Sequence, residues 1–429
     1  MRKIVLVTMG SLGDLHPFIA IGLALQRRRF RVVLGVPEDQ LAKTRAAGLE
    51  AHAVVGGFEA IRARLGLSEQ DAARRIMSDQ GYLMDEVLMP WLTTSAAALD
   101  ALVEDAVAIV GSLFVFAAPI IAETRRIPLV NVVLQPMTVF SAFAPPRTPM
   151  FRMMAHAPTG AVGRWWNRRV YGAMRAVLRH RYGARIDALR AAHGLGPSDR
   201  ALLVDTPPGT ALTLGCFSPT FAPPQPDAPR ELAVIGFPMF DSDGGGAEAL
   251  DPGLKAFLAA GPPPLVFTLG SFAVLAPGDF YAAAVDAARA LGLRAVLLTG
   301  DAVVERSGAD IHVARYVPHS LLFPRARVVV HHGGMGSTGQ ALRAGVPQLI
   351  VPHMGDQHDN GHRVAALGVG AVLEAKRFTA ARAATMIAAI MSERHVDTAR
   401  RLGEQVAAEN GAEAAADAIV ATIGPSTQG

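Results

Sequence analysis

Between residues 327 and 352 the chain reads as a buried strand, a glycine turn, a helix, a second turn and a second buried strand. That order commits it to a parallel α/β sheet, because a helix must carry the chain back before the next strand can run in the same direction. The first strand ends in His331-His332, Gly333-Gly334-Met335-Gly336 breaks the run, and Ser337-Thr338 open the helix. Gly345-Val346-Pro347 closes that helix, and Gln348 to Pro352 forms the next strand. The turn has a chemical consequence as well. Glycines let the backbone approach a ligand with no Cβ in the way, and the start of a helix offers unpaired N–H groups and a positive dipole end. With two hydroxyls and an imidazole close by, the turn suits a diphosphate. Asp356-Gln357 follow the second strand, and ligands of open α/β sheets bind beyond the carboxyl ends of strands. A carboxylate and an amide there suit a polyhydroxylated group such as a sugar. Together the two clusters describe a nucleotide-sugar site.

The rest of the chain repeats this alternation. A strand at 4–9, a glycine turn, a helix at 17–29 and a strand over Arg31–Val36 open the first half. Further strands are expected at 107–111, 129–134, Leu212-Thr213-Leu214 and Val234-Ile235-Gly236. Between about 140 and 195 the composition is first proline-rich, then arginine-rich and helical. Asp241 to Asp251, with Gly244-Gly245-Gly246, has linker composition. A second α/β unit begins at Leu265–Leu269 and continues through strands near 294–299, 311–316, 327–331 and 348–352. Alanine-rich helices close the chain, with fraying expected at Ser426–Gly429. The reading is two doubly wound domains facing a cleft: 1–235 binding an acceptor, 236–410 binding the nucleotide-sugar, and a helix in 411–429 returning towards the first domain.

With 429 residues, 51% of them hydrophobic, the chain has ample material for two cores. A net charge of +4 from 41 basic and 37 acidic residues is too small to mark a nucleic-acid binder. A single cysteine, Cys216, excludes an internal disulfide framework and suits a reducing cytoplasm. The apolar run after Arg2-Lys3 is broken at Gly10, Gly13 and Asp14, so it is a strand and not a signal peptide. No segment reaches the roughly 20 apolar residues of a membrane span. Gly10-x-x-Gly13 lacks the full dinucleotide fingerprint, which argues against a dehydrogenase.

Residues 316–370 resemble the donor-binding signature of the family 1 glycosyltransferases, inverting enzymes of GT-B fold. Within that family the pattern is most similar to bacterial lipid-type members, such as the rhamnosyltransferases of rhamnolipid synthesis and the sterol glucosyltransferases. The resemblance implies that His332, Gly334, Gly336, Ser337 and Thr338 hold the diphosphate, with Ser271 of Thr268-Leu269-Gly270-Ser271-Phe272 as a second donor. His331 is open between packing and function. Tyr316 would stack on the base and the Val317 backbone would read its edge, although His319 stands where relatives carry glutamine. Asp356 and Gln357 would bind sugar hydroxyls, with Asn360 and His358 on the same rim. Gln340 replaces the glutamate with which plant members grip the ribose. An amide accepts less well, which favours a deoxyribose donor, dTDP over UDP. No Asp-x-Asp or His-x-x-x-His cluster stands in a convincing context, and neither a metal nor a cofactor is expected, the nucleotide-sugar being a co-substrate.

Transfer with inversion also needs a base for the acceptor hydroxyl. The loop Gly10-Ser11-Leu12-Gly13-Asp14-Leu15-His16-Pro17 follows the first strand, and many family members carry a catalytic histidine three residues before this proline. Asp14 occupies that position and would need its pKa raised by burial; His16 is the rival. Alternatively, Asp14 caps a helix starting near Pro17. The acceptor would be a small hydrophobic or lipid molecule, with Gly13, Met84, Trp91 and Phe140 as its expected contacts, although methionines and aromatics equally suit ordinary core. The stretch 147–190 carries ten arginines, one acid (Asp187) and Trp165-Trp166. It reads as a membrane-surface contact or as a solvated helical face. The expected location is therefore cytoplasmic, with peripheral contact to the inner face of the membrane. Two other readings stand beside the glycosyltransferase: a nucleotide-sugar epimerase of the same fold, and an inactive auxiliary partner of a glycosyltransferase.

Overall fold

The computed structural model describes residues 1–424 except 157, 159, 243, 247 and 305–307. The end expected to fray, Ser426–Gly429, lies outside the described residues, as do two positions of the expected linker and two of 147–190. The chain forms two compact units. One comprises Met1–Arg64, Gly81–Phe240 and Asn410–Gly429, the other Leu65–Gln80 and Asp241–Glu409.

The first unit is built on strands β1 (Lys3–Val7), β2 (Arg31–Pro37), β3 (Glu50–Val55), β4 (Ala106–Ser112), β5 (Leu129–Val133), β6 (Thr210–Gly215) and β7 (Leu232–Val234). They form one parallel sheet in the order β3-β2-β1-β4-β5-β6-β7. Alternate residues of β1 serve opposite faces. Ile4 and Leu6 pack with Phe18, Ile19 and Leu34, while Val5 and Val7 pack with Leu99, Ile109 and Ile121. Both faces are covered, as a parallel sheet requires. The second unit uses β8 (Leu265–Thr268), β9 (Ala295–Leu298), β10 (Ile311–Ala314), β11 (Val328–His331), β12 (Gln348–Ile350) and β13 (Gly370–Val372), ordered β10-β9-β8-β11-β12-β13 and again all parallel. Leu265 and Phe267 face one core, Val266 the other.

Both sheets therefore change winding direction beside their first-formed strand: between β1 and β4 in the first unit, between β8 and β11 in the second. Such switch points open a crevice at the carboxyl ends of the strands. The loops after β8 and β11 carry Ser271 and His332, and the helix start that follows β1 carries Asp14. Topology alone thus brings the residues singled out in the second sequence half to one place.

Several elements differ from the sequence reading. Helix α1 spans Leu12–Arg27 and encloses Pro17, rather than beginning there. Ser11 caps it, and that local cap outweighs the N–H that Pro17 cannot donate. Helix α2 (Glu69–Ser78) belongs to the second unit, burying Ala72, Ala73 and Ile76. The boundary near 235 leaves it in the first, because an amphipathic pattern does not say which core it fills. Strands β3 and β13 were not anticipated; β3 buries Ala51, Val54 and Val55 without regular alternation. The basic stretch forms helix α3 (Ala161–Ala192), and the chain's described end is helix α6 (Gly411–Ile423), preceded by α4 (Met335–Arg343) and α5 (Gln357–Ala366). Helix α6 packs Ala415, Ala416 and Ile419 into the first unit's core, and Arg27 and Arg28 of α1 pair with Glu413. No helix among the described residues is long and apolar enough to cross a membrane.

Candidate functional site

In the second unit β11 ends at His331, and α4 starts at Met335 with Gly334 as its N-cap and no side chain capping it. An uncapped helix start leaves first-turn N–H groups for a ligand. His331 is fully buried and engaged on both sides: Nδ1 accepts from the Gly333 N–H at 3.2 Å and Nε2 donates to Gln348 Oε1 at 2.9 Å. That pairing fixes the neutral tautomer, and burial pushes its pKa down to about 4. Both ring nitrogens of His331 are thus engaged within the fold.

His332 is placed differently. A Cβ built on Gly270 would stand 2.4 Å from its Cε1, and one on Gly334 would stand 2.3 Å from its Nε2. The ring occupies space that two glycines leave open, one after β8 and one after β11. Burial, together with the neighbouring His331, His353 and His319, holds its pKa well below the ordinary imidazole value. A neutral ring offers one N–H donor, and its Nδ1 is buried with no hydrogen-bond partner among the described residues.

The same is true of Thr338 Oγ1, Gln348 Nε2, His353 Nε2 and Asn360 Oδ1. Buried polar atoms are normally satisfied, and an orphan costs about 1–3 kcal/mol. Five such atoms fall on residues 332–360, the stretch that holds the glycine turn and the start of α4.

The clusters around the turn are braced to each other. Asn360, fully buried on α5, donates to Gly333 O at 2.9 Å and to Asp356 Oδ2 at 2.7 Å. It joins the glycine turn to the carboxylate, a role the sequence reading underrated. Gln357 Oε1 accepts from the His353 and Met354 N–H groups at 2.8 and 3.1 Å, so its amide NH2 is the group it can present. His353 was not anticipated at all; burial pushes its pKa down to about 4. Ser337 is buried, 3.5 Å from His319 Nε2, the outer limit for a hydrogen bond. Ser271 is exposed, Gly336 is exposed with open space where a side chain would stand, and Gln340 is buried.

The expected base contact is more occupied than the sequence suggested. The Tyr316 hydroxyl donates to Asp241 Oδ1 at 2.7 Å, and its ring lies nearly parallel to His319 at 6.3 Å. His319 stacks in turn on Phe323 at 4.3 Å, and Val317 is buried.

In the first unit Ser11 and Asp14 form a capping box. The Ser11 N–H and hydroxyl donate to Asp14 Oδ2 at 2.8 and 3.2 Å, while Ser11 Oγ accepts from the Gly13 N–H at 3.3 Å. Gly10, at φ +125°, leaves the space the carboxylate fills; a Cβ there would stand 2.3 Å from Oδ2. Burial raises the pKa of Asp14 to about 6 against the opposing pull of the Ser11 bonds. Both bonds land on Oδ2, and Oδ1 takes part in none among the described residues. Asp14 does cap, but as the N3 partner of Ser11 at a helix starting at Leu12. His16 packs edge-on against Phe240 at 5.4 Å.

Of the expected acceptor contacts, Met84 and Trp91 belong to one cluster, while Phe140 and Gly13 stand apart from it. Met84 lies on a π-helical turn (Leu83–Leu88) and is core, packed with Met9, Leu88 and Met89, with Trp91 at its edge. Trp91 has a buried, unpartnered Nε1. Phe140 belongs to a separate cluster with Phe151, Met154 and Tyr171. Gly13 is exposed in the first turn of α1.

Residues 295–423 match the C-terminal domain of erythromycin biosynthesis protein CIII-like proteins. The O-mycaminosyltylonolide 6-deoxyallosyltransferase of Streptomyces fradiae is 31% identical over 433 residues, spanning 96% of this chain and 95% of the relative. The chain belongs to the family 1 glycosyltransferases. Solved glycosyltransferases share its two-domain GT-B fold: that of kitacinnamycin (TM-score 0.71, 20% identity, covering 98% of this chain and 99% of that one) and the spinosyn rhamnosyltransferase SpnG complexed with thymidine diphosphate (TM-score 0.64, 19% identity, 98% and 99%). In this glycosyltransferase the family match covers β11, α4, β12 and α5, the elements that carry Thr338 and Asn360 and border His332 and Asp356.

Proposed function

We propose that this glycosyltransferase moves a sugar, with inversion and without a metal, from a nucleoside-diphosphate donor to a hydroxyl of a small hydrophobic acceptor. The observation that carries the donor half is the group of buried, unpartnered polar atoms around an uncapped helix start. In this reading His332, Ser337, Thr338 and the first N–H groups of α4 hold the diphosphate, while Asp356 and Gln357 take sugar hydroxyls. Asn360 positions Asp356. Thymidine over uridine is supported by Gln340, whose amide grips a ribose less well than a carboxylate, and by the thymidine diphosphate held by one relative.

The acceptor hydroxyl gives its proton to the Asp14 carboxylate as its oxygen attacks the anomeric carbon. The bond from that carbon to the diphosphate breaks on the opposite face, and the nucleoside diphosphate leaves with the electron pair. A hydrophobic acceptor is supported by a relative, the sterol 3-beta-glucosyltransferase of Komagataella phaffii, 26% identical over 429 residues, 96% of this chain and 34% of the relative.

Purified protein given dTDP- and UDP-sugars in EDTA, with and without hydrophobic alcohols, tests the proposal. Release of nucleoside diphosphate only when acceptor is present supports it. An isomerised sugar without acceptor would mean an epimerase, and failure to bind any donor an auxiliary protein. Asp14 must be ionised to accept a proton, and its pKa is raised to about 6. Activity should therefore rise with pH to a plateau above about 7 and fall roughly tenfold per unit below about 6. A profile flat down to pH 5 would remove Asp14 from the role.

Thr338→Val removes an unpartnered hydroxyl without changing shape. Folding stability should stay the same or rise by up to about 1 kcal/mol, while dTDP binds roughly tenfold more weakly. Thermal melts with and without dTDP read both at once.

A further inference from the structure

Helix α3 is apolar on two opposite faces. Asn167, Tyr171, Tyr182 and Ile186 are buried against the first unit. Half a turn round, Val162, Trp165, Trp166, Arg169, Ala173 and Val177 recur at the spacing of one helical stripe, and all are exposed. Trp165 is 53% exposed and Val162 80%. The stripe continues onto the preceding turn: the Trp166 indole N–H donates to Met153 O at 2.7 Å, and Met150 and Met153 are themselves exposed. Five of the ten large hydrophobic side chains exposed among the described residues thus lie within residues 150–166.

The arginines of this region divide into two groups. Arg175, Arg179, Arg181 and Arg190 form ion pairs with Asp205, Asp187, Asp85 and Glu123. Arg152, Arg164, Arg168, Arg169 and Arg185 form none among the described residues. Arg164 lies over the Phe143 ring at 5.0 Å and Arg169 over Trp165 at 5.3 Å. Four of these five cations therefore coincide with the exposed tryptophans and methionines, and Arg185 lies further along the helix.

We propose that this patch, from Met150 to Val177, docks the enzyme on an anionic lipid surface. Tryptophan favours the interface between headgroups and acyl chains, and arginine can lay its stem along apolar surface while its head meets phosphate. A second copy of the chain fits less well, since it would set one cationic rim against another. The patch is separate from the residues assigned to sugar transfer, so its test does not depend on that assignment.

The test is sedimentation of the full chain with vesicles of phosphatidylcholine, alone or with about one-third phosphatidylglycerol. Binding should require the anionic lipid, weaken as NaCl rises from about 0.05 to about 0.5 M, and shift tryptophan fluorescence to the blue. Arg168→Glu with Arg169→Glu should lower binding roughly tenfold or more, at about fivefold per cation. Arg394→Glu with Arg401→Glu, an equal charge change in the second unit, should lower it less than about twofold. Trp165→Ser should reduce both binding and the blue shift. All these variants should keep wild-type turnover of a water-soluble acceptor. Binding no better than to pure phosphatidylcholine overturns the proposal. So does an equal loss when Arg394→Glu and Arg401→Glu are combined, or a solution dimer that Trp165→Asp dissociates.

Discussion

Asp14→Asn is expected to lower turnover by roughly 10²- to 10⁴-fold, the usual contribution of a positioned general base, with nucleoside diphosphate binding unchanged. The separation is possible because the diphosphate site is assigned wholly to the second unit and Asp14 lies in the first. The substitution is also structurally mild. An asparagine oxygen can accept from the Ser11 N–H as Oδ2 does now, so the capping box survives. The sign on stability follows from the pKa. A carboxyl whose folded pKa is raised from 3.8 to about 6 favours folding less as pH rises through that window, because the folded state holds the proton more tightly. Above pH 7 a neutral amide escapes this penalty, so Asp14→Asn should melt no lower than the parent. Parallel kinetics, calorimetry with dTDP and thermal melts decide the matter. Turnover within about threefold of the parent would transfer the role to His16.

His332→Ala should cost roughly 10²- to 10³-fold in turnover, the range for removing one donor to a developing anion. Gly334→Ala should reach a similar loss by another route, because its methyl would stand 2.3 Å from His332 Nε2 and displace the ring. The two changes then act on one object and should not add. In His332→Ala the ring's volume is vacated, so adding Gly334→Ala should lower turnover little further. Additive losses would show that the glycine serves the ligand directly instead of making room for the imidazole.

The strand–turn–helix run from 327 to 343 was legible because each step has its own chemical sign: apolar strand, glycines, hydroxyls at a helix start. The alternation of elements likewise made two parallel sheets readable. What escaped was whatever depends on contacts distant in sequence. Asn360 is one more polar residue on a helix until it is seen bonding Gly333 27 positions away. His353 looks like a loop residue because its burial comes from the fold around it. Met84 and Phe140 share a composition that suits a pocket, yet they pack into different clusters, since composition carries no direction. The start of α1 was misplaced because Pro17 is the louder local signal, while the reciprocal Ser11–Asp14 bonds that set the boundary span three residues.

The path of the backbone carries a consequence for anyone recombining these enzymes. It passes between the units four times, after Arg64, Gln80, Phe240 and Glu409. A chimera spliced once near 240 would inherit a second unit lacking the helix whose Ala72, Ala73 and Ile76 it normally shelters, and a first unit with that greasy segment left dangling. Transplanting the second unit intact therefore means moving residues 65–80 together with 241–409, as one cargo in two pieces.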